Sequence, residues 1–222
     1  MEENIVISGF VEFGDYVDNI TAQIARDLKR KVLDDFKPHR IHSVIFPATI
    51  PDQREDRGQQ LFKLAAKTNS KAIIALGMSS SLLGPCIEHV AYNSNSGKYC
   101  PPELVGTPVC RGYNPDQTFK ISLARWDLKL FQSICKDEGI QASFSSKPGG
   151  FCCNHLMVQL CLAQLSNPVW QKIPWIFLHL PCSPEAVASS YRLEFRKAGK
   201  KTMTVETAIQ IVKILIASLR RD

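Results

Sequence analysis

Two adjacent cysteines combine a reactive side chain with a position that favours reactivity. Cys152 and Cys153 follow the turn Pro148-Gly149-Gly150 and begin an apolar helical segment. A thiol at the start of a helix meets the positive end of the helix dipole, which favours the nucleophilic thiolate form. The position therefore suits a catalytic cysteine, although a buried structural cysteine explains the pair better when it is taken alone. A metal site that adds His155 is disfavoured, because neighbouring side chains diverge and no second Cys/His pair follows at zinc-site spacing.

A cysteine nucleophile needs a base, and the sequence offers three histidines for that role. His179 lies near the end of a buried strand predicted over residues 175–180. In a parallel sheet, ligands bind beyond the carboxyl ends of the strands, and this placement favours a catalytic role for His179. His89 and His155 are rival bases that spacing alone does not exclude.

Glu88 is a charged residue within an apolar stretch. It lies between Ile87 and Val90, with Pro85 and Cys86 before them. An unpaired buried carboxylate is costly, so Glu88 needs a partner, and a histidine would serve. Cysteine, histidine and carboxylate together form a generalised triad in which the base takes the thiol proton and the carboxylate fixes the imidazole tautomer.

Apolar runs of strand length alternate with helical periodicity along the chain. Strands are predicted over residues 4–8, 41–46, 71–76, 141–145 and 175–180, and helices over residues 17–35, 52–68, 123–137, about 151–165 and 204–220. Residues 77–120 carry five prolines and one short strand-like piece at 90–93, and a loop of that length is usually functional. This alternation predicts a layered α/β fold with a mostly parallel central sheet.

The composition indicates an ordinary folded protein. Hydrophobic residues make up 45% of the 222 residues and charged residues 22%, which predicts a single domain over residues 1–222. The formal net charge is +6, and the densest basic run, at 196–201, has no interleaved aromatic residues. We therefore expect this run to be a solvated loop and expect no nucleic-acid partner.

The cysteines and the apolar runs bear on the compartment. No run of about 18 apolar residues is present, which argues against a membrane-spanning helix, and residues 1–4 lack the features of a signal peptide. The eight cysteines are irregularly spaced and are typical of reduced thiols in a cytoplasmic protein. Cys100 and Cys110 would pair only in an oxidising compartment.

Four segments in order resemble the pyroglutamyl peptidase I family of cysteine peptidases, over nearly the whole chain. The matching segments are Gly9-Phe10 with Phe13-Gly14, Glu88 with Val90-Ala91 and Asn93, Phe151-Cys152-Cys153-Asn154-His155, and Phe177-Leu178-His179-Leu180-Pro181. The third segment resembles the family's Phe-Val-Cys-Asn-His, and the fourth resembles Phe-Ile-His-Val-Pro. The resemblance therefore assigns the nucleophile to Cys153, with Cys152 at the valine position, and the base to His179.

The resemblance also implies the family fold, an α/β three-layer sandwich with a mostly parallel central sheet flanked by helices, and an activity. Family members remove N-terminal pyroglutamate from peptides through a thioester, with the position of Glu88 orienting the base, and they need no metal or organic cofactor. The family's two opening phenylalanines flank the pyrrolidone ring, which makes Phe10 and Phe13 substrate-binding candidates, together with Asn19. The sequence alone would assign both phenylalanines to the core. The resemblance implies a peptide substrate and is compatible with an oligomer.

Three departures from the family pattern bear on activity. Leu82 stands where the family carries the arginine of a Gly-Gly-Arg segment, which the resemblance places beside the catalytic cysteine to stabilise charge. Asn19-Ile20-Thr21 replaces Asn-Pro-Ser, and Val11-Glu12 replaces Glu-Pro. The first departure supports an alternative, a catalytically weakened relative that binds peptides or a partner. A phosphorylase-like enzyme is a further alternative, but no Gly-rich phosphate loop with a nearby Lys or Arg is found.

Overall fold

The computed structural model describes residues 3–29, 31–33, 39–51, 55–186 and 201–220. Strands and helices alternate along most of this chain. In chain order they are β1 (Glu3–Phe10), α1 (Ile20–Leu28), β2 (Val32–Leu33), β3 (His39–Phe46), α2 (Arg57–Lys67), β4 (Ser70–Met78), β5 (Cys86–Glu88), β6 (Val90–Tyr92), β7 (Thr118–Lys120), α3 (Leu128–Asp137), β8 (Ser143–Ser145), α4 (Cys152–Ser166), β9 (Trp175–Leu180) and α5 (Val205–Ala217). Short 3₁₀ turns lie at Pro102–Leu104 and Trp170–Lys172.

Seven of the described strands form one sheet in the order β2-β3-β1-β4-β9-β5-β8. Neighbouring strands are parallel except at β2–β3 and β5–β9. The remaining strands, β6 and β7, form a separate antiparallel pair. The predicted α/β fold with a mostly parallel central sheet is therefore confirmed.

Each face of the sheet carries its own core, because successive side chains of a strand point to opposite faces. In β1, Ile5 and Ile7 pack with α1, α3 and α5, whereas Val6 packs with α2 and α4. In β9, Leu178 joins the first core and Phe177 joins the second. The helices therefore lie in two layers around the sheet, as the three-layer prediction requires.

Some element boundaries differ from the predictions. The helix expected over residues 17–35 ends at Leu28, and Val32–Leu33 instead pair with β3 as strand β2. The region expected to hold little regular structure contains β5 and β7 in addition to the anticipated β6. Of the basic run at 196–201, only Lys201 belongs to the described residues, and it is exposed.

Two findings concern the environment of the chain. None of the helices in the described ranges is long and apolar enough to span a membrane. All eight cysteines are free thiols, and Cys100 and Cys110 are not bonded to each other.

Candidate active site

A cavity of about 530 Å³ lies at the carboxyl ends of β4 and β9. Its wall includes Met78 at the end of β4, His179 near the end of β9, and Glu88 at the end of β5. The first turn of α4 contributes Cys152 and Cys153. The fold thus brings the three residues of the predicted triad to one cavity.

His179 and Glu88 form a buried pair. His179 Nδ1 lies 2.9 Å from Glu88 Oε1, and the two residues are only 5% and 3% exposed. Strand β5 runs antiparallel beside β9, with Cys86 opposite His179 and Glu88 opposite Phe177, and this pairing brings the carboxylate to the imidazole. Because Nδ1 is bound to the carboxylate, Nε2 is the nitrogen left to exchange a proton.

The ring of His179 rests on the neighbouring strand. It packs edge-on against Phe177, with ring centroids 5.0 Å apart, and lies beside Gly77 of β4. A β-carbon at Gly77 would come within 2.6 Å of His179 Cδ2 and 2.7 Å of Nε2. Only glycine therefore leaves room for the imidazole in this position.

Cys153 is partly exposed at the second position of α4. The side chain of Cys152, burial and the charge of Glu88 raise the pKa of the Cys153 thiol well above its ordinary value. These effects oppose the thiolate that a helix start alone would favour. Within the described residues, no hydrogen bond joins Cys153 to His179, although both line the cavity, and such contacts tighten when substrate binds.

The start of α4 is fixed by the loop that follows β6. The buried amide of Asn154 accepts a hydrogen bond from the Tyr92 backbone N–H at 2.8 Å and donates to the Tyr92 carbonyl at 2.7 Å. The Ser96 backbone N–H donates to the Gly150 carbonyl at 2.7 Å. The N-cap residue of α4 is Phe151, and no side chain accepts a hydrogen bond from the first backbone N–H groups of this helix as a cap. Because Asn154 follows Cys153 directly, these bonds hold the thiol at the cavity wall.

Aromatic rings form one end of the cavity. Phe13 lies 5.4 Å from both Tyr16 and Tyr99 between ring centroids, and Phe151 lies 6.0 Å from Tyr99 and 6.4 Å from Phe13. All four residues line the cavity. This aromatic cluster of Phe13, Tyr16, Tyr99 and Phe151 offers flat apolar surface to a ligand.

Two of the predicted substrate-binding residues lie behind this wall. Phe10 is 1% exposed and packs against Phe46, and neither it nor Asn19 lines the cavity. The Asn19 side chain accepts from the Thr21 backbone N–H at 3.0 Å and donates to the Val11 carbonyl at 3.0 Å. Asn19 thereby caps α1 and fixes the segment that leads to Phe13.

The rival histidines lie away from the cavity. His89 is exposed, and His155 is buried on the side of α4 near Arg57. Burial, followed by the positive charge of Arg57, lowers the pKa of His155 to about 4. Of these three histidines only His179 lines the cavity, and the described residues contain no group of three His, Cys, Asp or Glu side chains that could hold a metal ion.

The chain matches a known family along nearly its whole length. The family model described as Pyroglutamyl peptidase matches residues 3–222. The chain belongs to the pyroglutamyl peptidase family. A pyrrolidone-carboxylate peptidase of Halalkalibacterium halodurans is 27% identical over 208 residues, which cover 93% of this chain and 97% of that relative. A Bacillus cereus protein of the same name is 27% identical over 220 residues, covering 96% and 91%.

Solved structures of pyroglutamyl peptidases share the fold. The pyroglutamyl peptidase I of Bacillus amyloliquefaciens superposes with a TM-score of 0.76 at 22% identity, covering 99% of this chain and 95% of that one. The pyrrolidone carboxyl peptidase of Thermococcus litoralis superposes with a TM-score of 0.75 at 19% identity, covering 98% and 93%. At 22% and 19% identity, the similarity to these two structures establishes the fold of this chain alone.

An apolar side chain and two lysines lie on the cavity wall. Leu82, the residue that the sequence resemblance aligns with an arginine, lines the cavity and adds an apolar side chain to it. Two lysines, Lys98 and Lys147, line the cavity elsewhere, whereas Arg111 is exposed and does not.

Sequence reasoning missed Tyr16, Tyr99 and Lys98 as wall residues. Tyr99 and Lys98 lie in the long segment between β6 and β7, where no periodicity indicates which side chains point inward. The nearby Gly97 and the five prolines of residues 77–120 show only that the chain turns there.

Proposed function

We propose that this protein is a cysteine peptidase that removes N-terminal pyroglutamate from peptides, with Cys153 as nucleophile, His179 as base and Glu88 as the residue that orients the base. The observation that carries the proposal is the buried His179–Glu88 pair, 2.9 Å between Nδ1 and Oε1, on the wall of the cavity that also holds Cys153. Membership of the pyroglutamyl peptidase family over residues 3–222 supports the substrate.

The raised pKa of Cys153 requires proton transfer during the attack. At neutral pH the Cys153 thiol is protonated. His179 Nε2 therefore accepts the proton as the sulfur attacks the carbonyl that joins pyroglutamate to the next residue. Glu88 holds the opposite nitrogen and stabilises the imidazolium that forms. His179 then protonates the leaving amine, the peptide bond breaks, and a thioester remains. Water activated by the now neutral His179 hydrolyses the thioester and releases pyroglutamate and the free thiol.

The first turn of α4 supplies the oxyanion donors in this proposal. Phe151 at the N-cap provides no capping side chain, so the N–H groups that follow it are available at the positive end of the helix. The carbonyl oxygen bonded to the attacked carbon becomes negative next to these groups. Preorganised backbone donors of this kind lower the barrier without reorganising.

The aromatic cluster fits the flat, uncharged lactam ring of pyroglutamate. Phe13, Tyr99 and Phe151 offer ring faces, whereas an ordinary N-terminal ammonium would lose its hydration there without a counter-charge. Phe10 is buried in the core, and the Asn19 side chain donates a hydrogen bond to the Val11 carbonyl. Both residues therefore hold in place the segment that leads to Phe13. The physiological substrate is therefore a peptide blocked by pyroglutamate. Eight free thiols agree with a cytoplasmic location, which we also propose.

The test is hydrolysis of a fluorogenic pyroglutamyl amide by the purified protein in reducing buffer. We expect turnover that Cys153→Ala abolishes and that Cys152→Val largely retains, because valine is the usual family residue at that position. The matching prolyl amide has the same ring size with a charged amine, and we expect it to be cleaved at least about a hundredfold more slowly, since the ammonium is buried without a partner.

Three results would contradict the proposal. Equal loss in both cysteine variants would remove the distinction between Cys152 and Cys153. Comparable cleavage of the prolyl amide would argue against selection of the lactam. A folded protein that binds pyroglutamyl peptides without cleaving them would be the weakened relative that Leu82 suggests.

A further inference from the structure

We propose that Lys98 and Lys147 select pyroglutamyl peptides that carry a carboxylate on the residue after pyroglutamate. The carboxylate is either the free C-terminus of a pyroglutamyl dipeptide or an acidic side chain at that residue. The inference rests on the proposed peptidase function and adds a substrate class to it.

The charges on the cavity wall are unbalanced. Lys98 and Lys147 both line the cavity, and among its described wall residues Glu88 is the only carboxylate. Glu88 is 3% exposed and is bound to His179, so it does not neutralise the lysines. The remaining wall is aromatic, apolar or hydroxylic. The accessible charge that a substrate meets is therefore positive.

Neither lysine is held by a strong internal partner. Lys147 is exposed, and no ion pair joins it to any carboxylate in the described ranges. Lys98 Nζ lies 3.5 Å from Asp15 Oδ2, but the side chains are 73% and 51% exposed, and such exposed pairs contribute little. Lys98 Nζ also lies 5.2 Å from the centroid of the Tyr99 ring, which brings it next to the aromatic cluster.

The size of the cavity sets how far along the substrate the lysines act. A cavity of 530 Å³ is on the order of 10 Å across, which corresponds to about three residues of extended chain. The pyroglutamyl ring occupies the aromatic end, and the scissile carbonyl lies at Cys153. Only the next one or two residues remain within the cavity, so a carboxylate on the first of them lies within reach of flexible lysine side chains.

Four peptides in two matched pairs test the selection. Pyroglutamyl-alanine is compared with its amide, which removes the terminal carboxylate, and pyroglutamyl-glutamate amide is compared with pyroglutamyl-glutamine amide, which removes the side-chain charge. For at least one pair we expect kcat/KM to be about five- to tenfold higher for the acidic member at low salt, because exposed ion pairs give effects of a few-fold per lysine. The preference should shrink at 0.5 M NaCl through screening.

The variants assign the preference to the two lysines. In Lys98→Ala/Lys147→Ala the ratio of acidic to neutral kcat/KM should fall to about one, and in Lys98→Ala/Lys147→Glu it should fall below one. Lys136→Ala, an exposed lysine of α3 outside the cavity wall, is the matched control and should keep the parent ratio. An unchanged ratio in the double variant overturns the proposal, as does an equal loss for acidic and neutral peptides.

Binding separates this inference from the peptidase proposal. The Cys153→Ala protein is titrated calorimetrically with the same four intact peptides, so affinity is measured whether or not the parent cleaves them. Tighter binding of the acidic members, lost when both lysines are also replaced, supports the selection even if turnover is absent. Turnover without any acidic preference leaves the peptidase proposal intact and overturns the role of Lys98 and Lys147.

Discussion

Leu82 places an apolar side chain on the wall of the cavity that also holds Cys153. Cys152, burial and the charge of Glu88 raise the pKa of the Cys153 thiol. The sequence resemblance implies an arginine at the position of Leu82, so the proposed nucleophile lacks that cation and depends on His179 at the moment of attack. Placing an arginine at position 82 tests how much the absence of this charge lowers kcat.

We expect Leu82→Arg to lower the pKa of Cys153 and to raise kcat for a pyroglutamyl amide by at least about tenfold, because a nearby cation stabilises thiolate and developing negative charge. A raised pKa means that little thiolate exists at neutral pH. Alkylation of Cys153 by iodoacetamide should therefore increase through the alkaline range in the parent and at lower pH in the variant. Mass spectrometry of the alkylated protein and the pH profile of kcat give the two readouts.

Leu83→Arg is the matched control for this change. Leu83 is 58% exposed and does not line the cavity. An arginine at this position therefore adds the same charge to the molecule without placing it on the wall of the cavity that holds Cys153. We expect its alkylation profile to follow the parent. If Leu82→Arg leaves both kcat and the alkylation profile unchanged, arginine at this position has no role in stabilising the thiolate.

At the scale of the elements, the strands that hold the proposed catalytic residues were predictable in part. The apolar run before His179 predicted β9, because consecutive apolar residues indicate a buried central strand, and all six residues of β9 are buried. Strand β5 was missed, because Cys86–Glu88 are too few residues to show an alternation. Glu88 was singled out from its apolar neighbours and from the family resemblance, and its approach to His179 depends on the antiparallel β5–β9 pairing, which no local pattern encodes.

Helix α1 shows how tertiary pairing overrides periodicity. Within the helix that was predicted over residues 17–35, Ile20, Ile24 and Leu28 follow one another at four-residue spacing and form a buried stripe, and Asn19 caps the helix. Val32 continues the same four-residue spacing, but its backbone pairs with Arg40 in β3. The extra strand pairing replaces one more helical turn, and the sequence pattern alone does not distinguish the two.

Helix α4 links Cys153, the proposed nucleophile, to a polar cluster on its other side. His155 lies two residues after Cys153 and is 7% exposed, and burial and the charge of Arg57 lower its pKa to about 4. Arg57 is itself buried and donates to the carbonyls of Pro47 and Thr49 at 2.8 and 3.0 Å. Protonation of His155 would place a second positive charge beside Arg57, so we expect acid to weaken the packing of α2 against α4.

The free energy of unfolding should reflect this histidine. A folded-state pKa below that of the unfolded chain means that the unfolded state binds more protons, so His155 favours the folded state above pH 6.5 and this contribution is lost as pH falls towards 4. The shift corresponds to about 3 kcal/mol. We expect His155→Gln to flatten the dependence of urea unfolding on pH over this range by a comparable amount.

The exposed His89 supplies the comparison for His155. His89→Gln removes a histidine whose side chain lies at the surface, so its unfolding free energy should follow the parent at each pH. Parallel pH profiles for His155→Gln and the parent would show that burial beside Arg57 does not hold His155 in its neutral form.

At the scale of the whole molecule, the two cores share the same central strands. Strands β1, β4 and β9 contribute alternate side chains to each face, so neither core can form without the sheet that the other needs. The proposed catalytic residues come from both halves of the chain, with Glu88 at the end of β5 and Cys153 in α4. We therefore expect the described residues to unfold as a single cooperative unit, and the single domain over residues 1–222 stays a prediction that an unfolding experiment addresses.

Two tryptophans report on the two cores separately. Trp126 lies in the core with α1, α3 and α5, and Trp175 lies in the core with α2 and α4, both 2% exposed. Two variants, Trp170→Phe/Trp175→Phe and Trp126→Phe/Trp170→Phe, leave one reporter each. Because the cores share strands, we expect the fluorescence midpoint in urea to coincide with the circular dichroism midpoint within each variant, and pyroglutamyl-amide hydrolysis to be lost in the same transition. A fluorescence transition that precedes the loss of circular dichroism in either variant would show that one core unfolds independently, and the single cooperative unit would have to be abandoned.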